Sequence, residues 1–453
     1  MTATTADPFL EGNYAPVFDE LTATNLEVDG SIPPELDGRY VRTGPNPFEM
    51  PTGPYHWFVG NGMVHGVRLG NGKANEYRNR FVLTDELAAN RGVKPVSGSS
   101  EMGSRALGNT NVVSHAGKLL ALTETTSPFE LDADLETVAT YEFGGTLPFG
   151  FTAHPKRDVE TGELHGFSYW VEEPYVMYHR IDLDGHLVQT EPIPVQGATS
   201  MHDFMVTEHH LVWLDLPVVF DIEIAMEGAP FPFRWTPEYG ARVGVMPRDG
   251  AGGSTRWFDV DLCYVFHPLN GYDEGDRIVL DVARHETMFA ESREGPNDPE
   301  RPTLDRWTID LDAGVVKEER LDDRPQEFPR VPDGLVGRRH RYGYTVEMVD
   351  ERTAFETVGL LKHDLTSGGS VRSSFGDGHR PGEFVFVPTA DATSEDDGWL
   401  MGYVYDEAND RSDLVILDAH DFSAAPVATV HLPRRVPFGF HGNWIPTETS
   451  MRA

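Results

Sequence analysis

The stretch Trp307-Thr308-Ile309-Asp310-Leu311-Asp312-Ala313-Gly314-Val315-Val316-Lys317-Glu318-Glu319-Arg320 reads as an apolar strand, an acidic turn with glycine, and a second strand. Four other segments share the pattern: Val67–Tyr77 (VRLGNGKANEY), Glu130–Tyr141 (ELDADLETVATY), His179–Glu191 (HRIDLDGHLVQTE) and Val415–Val430 (VILDAHDFSAAPVATV). One apolar residue near each turn (Leu69, Leu131, Ile181, Ile309 and Leu417) gives successive intervals of 62, 50, 128 and 108 residues. These are one, one, two and two units of about 50 to 64 residues, so the span holds six units and implies seven repeats. Hairpins at this period suggest the blades of a β-propeller, although Asp-Gly hairpins also occur in other β proteins.

The rest of the chain agrees with an all-β reading. Its 45 glycines and 33 prolines punctuate it throughout and form no single linker. Between them lie short segments rich in Val, Ile, Tyr, Phe and Trp, such as Gly166–Val171, Leu211–Leu216, Arg277–Ala283 and Trp399–Tyr405. Amphipathic helical stretches are few. We expect a single domain over 1–453, with an N-terminal extension at 1–25 and a C-terminal tail at 445–453.

Composition narrows the function classes. With 37 basic and 73 acidic residues the formal charge is −36, which repels phosphate backbones and disfavours a nucleic-acid partner. Apolar runs such as Leu211–Leu214 are far shorter than the roughly 20 residues of a membrane-spanning helix. The segment Met1–Pro16 lacks a basic, then apolar, leader. Cys263 is the sole cysteine, which fits a reducing compartment and a cytoplasmic protein. The Gly-rich run Gly250–Gly253 lacks the strand-turn-helix setting of a phosphate-cradling loop.

Four of the 18 histidines stand out by context. His154 lies in Thr152-Ala153-His154-Pro155, His202 in Met201-His202-Asp203-Phe204, His267 in Val265-Phe266-His267, and His441 in Phe438-Gly439-Phe440-His441-Gly442. Each adjoins apolar residues that could turn its ring inward. Taken singly, each also fits a hydrogen-bonded structural histidine. Separations of 48, 65 and 174 residues exclude a compact finger or a helical HExxH site. Ligands so spaced would converge from different blades on a propeller axis.

Longer motifs add to this. Ile32-Pro33-Pro34-Glu35-Leu36-Asp37-Gly38-Arg39-Tyr40-Val41-Arg42-Thr43-Gly44-Pro45-Asn46-Pro47 resembles the N-terminal motif of the carotenoid cleavage oxygenases. His56-Trp57-Phe58 followed by Gly60-Asn61-Gly62-Met63-Val64-His65 resembles the next, departing at Asn61, where that family has Asp. The histidine blocks follow in family order, with His267-Pro268-Leu269-Asn270-Gly271 and Arg435-Val436-Pro437-Phe438-Gly439-Phe440-His441, so the resemblance runs from about Ile32 to Trp444. It implies a seven-bladed propeller with loops and short helices capping the face that carries an iron site. By the same resemblance His154, His202, His267 and His441 are Fe(2+) ligands. Glu124, Glu327 and Glu383 then stand behind His202, His267 and His441. No organic cofactor is implied; the reaction would split a conjugated C=C bond with O₂ into two carbonyls.

The substrate is less legible. Phe58, Phe149, Phe151, Phe204, Phe266, Phe438 and Phe440 are candidates to line a tunnel, and also candidates for core. Stilbene-cleaving relatives carry Lys just before the first glutamate, where it contacts a phenol; here Thr123 stands there. That favours a carotenoid or apocarotenoid over a stilbenoid or phenylpropene, which remains the alternative. The segment Phe220–Pro237, with Phe231, Phe233 and Trp235, falls where relatives dip into membranes; weak peripheral membrane contact and ordinary packing both fit it, and Asp221, Glu223 and Glu227 argue against strong binding. Other readings are retinoid-ester isomerisation without O₂, a ligand-binding scaffold, and a calcium-dependent hydrolase, which would need oxygen ligands instead of imidazoles.

Overall fold

The computed structural model describes residues 7–96, 106–290, 295–296, 301–349 and 356–447. Residues 1–6 and 448–453, parts of the expected extension and tail, lie outside the described residues.

The hairpin at Trp307–Arg320 shows how the sequence makes a blade. Strands Thr303–Asp310 and Val315–Asp322 pair in register, Ile309 opposite Val316. The turn between them needs a left-handed residue, and Gly314 supplies it with φ 74°. Asp310 accepts the Ala313 N–H through its side chain at 2.8 Å and the Gly314 N–H through its carbonyl at 2.9 Å. Towards the axis the strands change character. Val315–Asp322 is largely solvent-facing, whereas Arg277–His285 is buried along nearly its whole length because blades pack on both of its faces.

Seven antiparallel sheets of four or more strands are arranged in this way among the described residues, and they form the seven blades of a propeller. The five hairpins read from sequence are the outer hairpins of the first, second, third, fifth and seventh sheets. The two doubled intervals fall where the fourth and sixth sheets lie. In the fourth sheet, the ribbon Val218–Phe220 with Phe233–Trp235 and the helix Ile222–Met226 are inserted between strands His210–Asp215 and Arg242–Pro247. In the sixth, the outer strand Gly369–Ser373 is short and exposed.

The ring closes by mixing the two ends of the chain. Gly442–Pro446 forms the inner strand of the first blade, paired antiparallel with Gly38–Pro45. Leu21–Thr24 adds the outermost strand of that blade, and Val28–Gly30 that of the seventh. At the seam the segments Arg42-Thr43-Gly44 and Pro437–His441 interlock. The Thr43 N–H donates to the His441 carbonyl at 3.4 Å, the Phe440 N–H donates to the Thr43 carbonyl at 3.3 Å, and Arg42 donates to the Pro437 carbonyl. Gly44 and Gly439 meet backbone to backbone: a Cβ on Gly44 would lie 2.7 Å from Gly439 Cα. Two motifs far apart in sequence are therefore the two halves of one closure.

The two α-helices among the described residues are Asp85–Arg91 and Ile222–Met226, and no described helix is long and apolar enough to cross a membrane.

Candidate metal centre

His154, His202, His267 and His441 meet on the propeller axis, with one ring nitrogen of each lying within 4.8 Å of those of the others. They come from the inner edges of the third, fourth, fifth and first blades. Glu124, Glu327 and Glu383 come from the second, sixth and seventh, so every blade supplies one side chain to the cluster.

Local irregularity aims several of them. The strand Tyr264–Glu274 slips register between Val265 and Pro268, at His267, and Gln326–Arg330 slips between Glu327 and Arg330. Such bulges turn a side chain out of the ladder and towards a site. Phe328, beside Glu327, has φ 53°, and Thr125, beside Glu124, has φ 58°. Both values are strained for residues other than glycine and tend to persist where the surroundings hold a functional side chain in place.

The carboxylates pair with Nδ1 of the rings. Glu327 Oε2 lies 2.7 Å from His267 Nδ1, Glu383 Oε1 lies 2.9 Å from His441 Nδ1, and Glu124 Oε1 contacts His202 Nδ1. Each carboxylate has a further donor. Glu327 accepts the Phe328 N–H, Glu383 the Gly442 N–H at 3.0 Å, and Glu124 the Tyr169 hydroxyl at 2.6 Å. Burial pushes the Glu383 pKa up, but Arg330 and His441 outweigh it and bring it to about 2. Glu327 is likewise held below the usual carboxylate range, burial being outweighed by His267 and His285. Both are therefore anions that accept the Nδ1 proton, which leaves Nε2 of a neutral ring as a lone pair; for His267, burial pulls the pKa down but Glu327 outweighs it and raises it. His154 differs: its Nδ1 is 4.0 Å from Asp203 Oδ2, beyond hydrogen-bond range. Burial and the three neighbouring imidazoles hold its pKa well below the ordinary value, which disfavours its protonated form.

These rings fit a cation. His154 Nε2 and His202 Nε2 are 2.9 Å apart, and His202 Nε2 and His267 Nε2 are 3.2 Å apart. Lone pairs facing each other at that distance repel unless a positive ion lies between them. Nitrogens about 2.1 Å from one ion and at right angles would be about 3.0 Å apart. Neutral imidazole nitrogens suit a borderline transition ion better than calcium, which takes oxygen ligands.

On one side the cluster floors a cavity of about 710 Å³ walled by Trp57, Phe58, Phe231, Phe233, Phe266 and Phe440. Of the seven phenylalanines named from sequence, Phe58, Phe266 and Phe440 line it. Phe151, Phe204 and Phe438 belong to the core, and Phe149 stacks on Trp170. Thr123 lines the cavity, but its hydroxyl is engaged: it accepts the Asn109 N–H at 3.0 Å and is 3.2 Å from Asn109 Oδ1. Asn109 also donates to the carbonyls of Phe58 and Gly60, tying the cavity wall to the segment that bears Glu124. The sequence reading missed Tyr169 and Asn109. Tyr169 sits in an ordinary strand, and the distant contact with Glu124 leaves no local signal.

Replacing Glu124 with Gln is expected to weaken metal affinity about 10- to 100-fold, the usual cost of losing an outer partner. Tyr169→Phe should act in the same direction and by less than about tenfold, since it removes one hydrogen bond to the carboxylate. Competition against a chelator measures both, and a Tyr169→Phe loss larger than that of Glu124→Gln would contradict the order of the relay.

Comparison with known proteins agrees with this geometry. The family model described as "Retinal pigment epithelial membrane protein" matches residues 14–446. The carotenoid cleavage oxygenase of Mycobacterium tuberculosis is 44% identical, over 98% of this chain and 99% of that one. The carotenoid 9,10(9',10')-cleavage dioxygenase of Crocus sativus is 34% identical, over 97% and 89%. The crystal structure of the Pseudomonas brassicacearum lignostilbene dioxygenase superposes with a TM-score of 0.88 at 30% identity, over 97% and 99%. A seven-bladed propeller with relatives of this kind is an oxygenase. The chain belongs to the carotenoid cleavage oxygenase family.

Proposed function

We propose that the protein is a non-haem iron(II) dioxygenase that cleaves one conjugated C=C bond of a carotenoid or apocarotenoid. His154, His202, His267 and His441 hold Fe(2+) through Nε2, and Glu124, Glu327 and Glu383 fix the tautomers of three of those rings. The observation that carries this reading is the convergence of four imidazole nitrogens beneath an aromatic cavity that three of the rings line. Bound there, the ion would activate O₂ so that one oxygen atom goes to each carbon of the severed bond, giving two carbonyl products and consuming no other reductant.

The chain's own part is positioning. The aromatic wall takes a flat, apolar polyene and excludes water from the reacting carbons. Among the described residues neither lysine nor arginine lines the cavity, and the Thr123 hydroxyl is engaged by Asn109. A phenolate would therefore find no cationic side chain among these residues, which favours a polyene without a phenol. Likeness to the lignostilbene dioxygenase supports the second reading, cleavage of an aromatic alkene to aldehydes. Oxygen uptake by the iron-loaded protein, with an apocarotenal and a hydroxystilbene in parallel and products identified by mass, tests both. Uptake with paired aldehydes from the apocarotenal alone is expected. Turnover of the hydroxystilbene alone would replace the first reading by the second.

A lipophilic substrate has to reach this cavity. The helix Ile222–Met226 stands beside its mouth, with Ile222 61% and Met226 82% exposed, and the following Phe231 and Phe233 line the cavity. We read this as a weak membrane contact, limited by Glu223 and Glu227. The double change Ile222→Glu with Met226→Glu should lower co-sedimentation with phosphatidylcholine vesicles about tenfold, the two side chains each giving up part of roughly 1.5–3 kcal/mol of burial. Turnover of detergent-dispersed substrate should stay unchanged, and unaltered vesicle binding would remove the contact. The ring closure by both chain ends supports reading 1–453 as one domain, and the lone buried thiol Cys263 is in keeping with a cytoplasmic location.

A further inference from the structure

The histidine cluster separates two spaces of opposite character. On the side away from the aromatic cavity, a second cavity of about 320 Å³ runs along the propeller axis, and His154, His267 and His441 face it. Its wall carries Asn111, Ser114, Asp203, Asp333, Glu383 and Asn443. His154, the ring without a carboxylate on Nδ1, lines this side and not the aromatic one, whereas His202 lines only the aromatic side. Burial is graded along the passage. Asp203 and Glu383 are 2% exposed at the inner end, while Arg157 and Asp333 are exposed at the outer lip.

We infer that this axial passage is the route by which a hydrated divalent metal ion enters and leaves the four-histidine site; the inference rests on the reading of that site as a metal centre. A hydrated dication sheds water at high cost, so it moves where polar groups can replace the lost shell. In the aromatic cavity the polar side chains are gathered on one wall, at Thr123, Glu124, Thr125, Thr126 and Tyr169, and the Thr123 hydroxyl and Glu124 already have partners there. The axial passage offers side-chain oxygens along its whole length. Its cations do not block it electrostatically, because each has an oxygen partner. Lys156 is held by both oxygens of Asp203, at 2.8 and 2.9 Å. Arg330 contacts Asp333 at 3.3 Å, Asn443 at 3.2 Å and Glu383 at 3.5 Å. Arg157 donates to the Ser114 carbonyl and feels the charge of Asp333. Three carboxylates and three cations leave the passage near neutrality, inside a chain whose net charge of −36 draws cations towards it. The division of labour follows: lipophilic substrate on one side of the imidazoles, metal exchange on the other.

The test is the rate at which metal-free protein takes up Co²⁺, followed by visible absorption after rapid mixing. Ser114→Trp and Val336→Trp fill the passage from two different elements, and Ala229→Trp fills the mouth of the aromatic cavity. Thermal melting of each variant is recorded beforehand to show that it is folded. The wild-type chain should bind one Co²⁺. Both passage variants should load about tenfold or more slowly, the effect of a modest added barrier, and reach the same final stoichiometry. Ala229→Trp should load at the wild-type rate while substrate turnover falls. Slow loading in Ala229→Trp with normal loading in both passage variants would assign entry to the substrate side and overturn the inference. Equal rates in all folded variants would overturn it too. Absence of stoichiometric Co²⁺ in the wild type would instead remove the metal-centre reading itself, an outcome distinct from either.

Discussion

The His202→Ala protein is expected to fold and to carry no metal. The His202 ring lies between the other rings, with Nε2 2.9 Å from that of His154 and 3.2 Å from that of His267. Removing it takes away one of the four proposed ligands and leaves Glu124 holding the Tyr169 hydroxyl but no imidazole. Loss of an outer partner alone costs about 10- to 100-fold in affinity, so loss of a ligand should exceed about a hundredfold. The fold does not depend on this ring, since it belongs to no strand and the core beside it is built from Met201, Phe204 and Trp213. Metal analysis after gel filtration, with circular dichroism alongside, is the measurement. Stoichiometric iron and full turnover in the folded variant would sink the ligand assignment.

The second large effect is expected at a residue that touches no ligand atom. In Gly44→Val the new Cβ would stand 2.7 Å from Gly439 Cα, a contact no side-chain rotation relieves because the obstacle is backbone. The seam must open, and the segment it displaces carries His441. Overpacking in a core costs about 1–3 kcal/mol and sometimes more. Here a backbone must move, so the upper end applies, with a drop of several degrees in Tm. Metal affinity should fall as well, because His441 leaves Glu383. Gly53→Val is the control, since a Cβ there meets nothing within 4 Å. Wild-type Tm and metal content in Gly44→Val would show that the seam tolerates an opening.

That glycine pair also shows what was legible in the sequence. The motifs around Gly44 and Gly439 were visible as text, but their meaning was not, because nothing local says that residues so far apart share one contact. Hairpins behaved differently. Their signal is local, a turn residue such as Gly314 between alternating strands, so five of seven outer hairpins could be read and the two absent ones showed as doubled intervals. The fourth was hidden by the insertion around Ile222–Met226, and the sixth by its short outer strand. Pairings of His202 with Glu124, His267 with Glu327 and His441 with Glu383 came from family resemblance; spacing alone does not yield them. The contact of Tyr169 with Glu124 and the occupation of Thr123 by Asn109 depend on how blades rotate about the axis, which no window of sequence records.

The closing strand has a consequence for the order of events in the cell. Synthesis proceeds from the amino end, so the segment bearing His441 with the strand Gly442–Pro446 emerges after His154, His202 and His267 and after the strands it closes against. While it is still inside the ribosome, three imidazoles are available, the first blade lacks its inner edge, and Glu383 has neither the His441 ring nor the Gly442 N–H to bind. On the proposed reading, the four-histidine ligand set is incomplete until this segment has emerged. When that segment docks, closing the ring and, on the proposed reading, completing the ion's ligand set become a single event, and an ion that binds only the closed ring adds to the stability of that ring by mass action. On the proposed reading, a chain truncated before His441 should retain no metal.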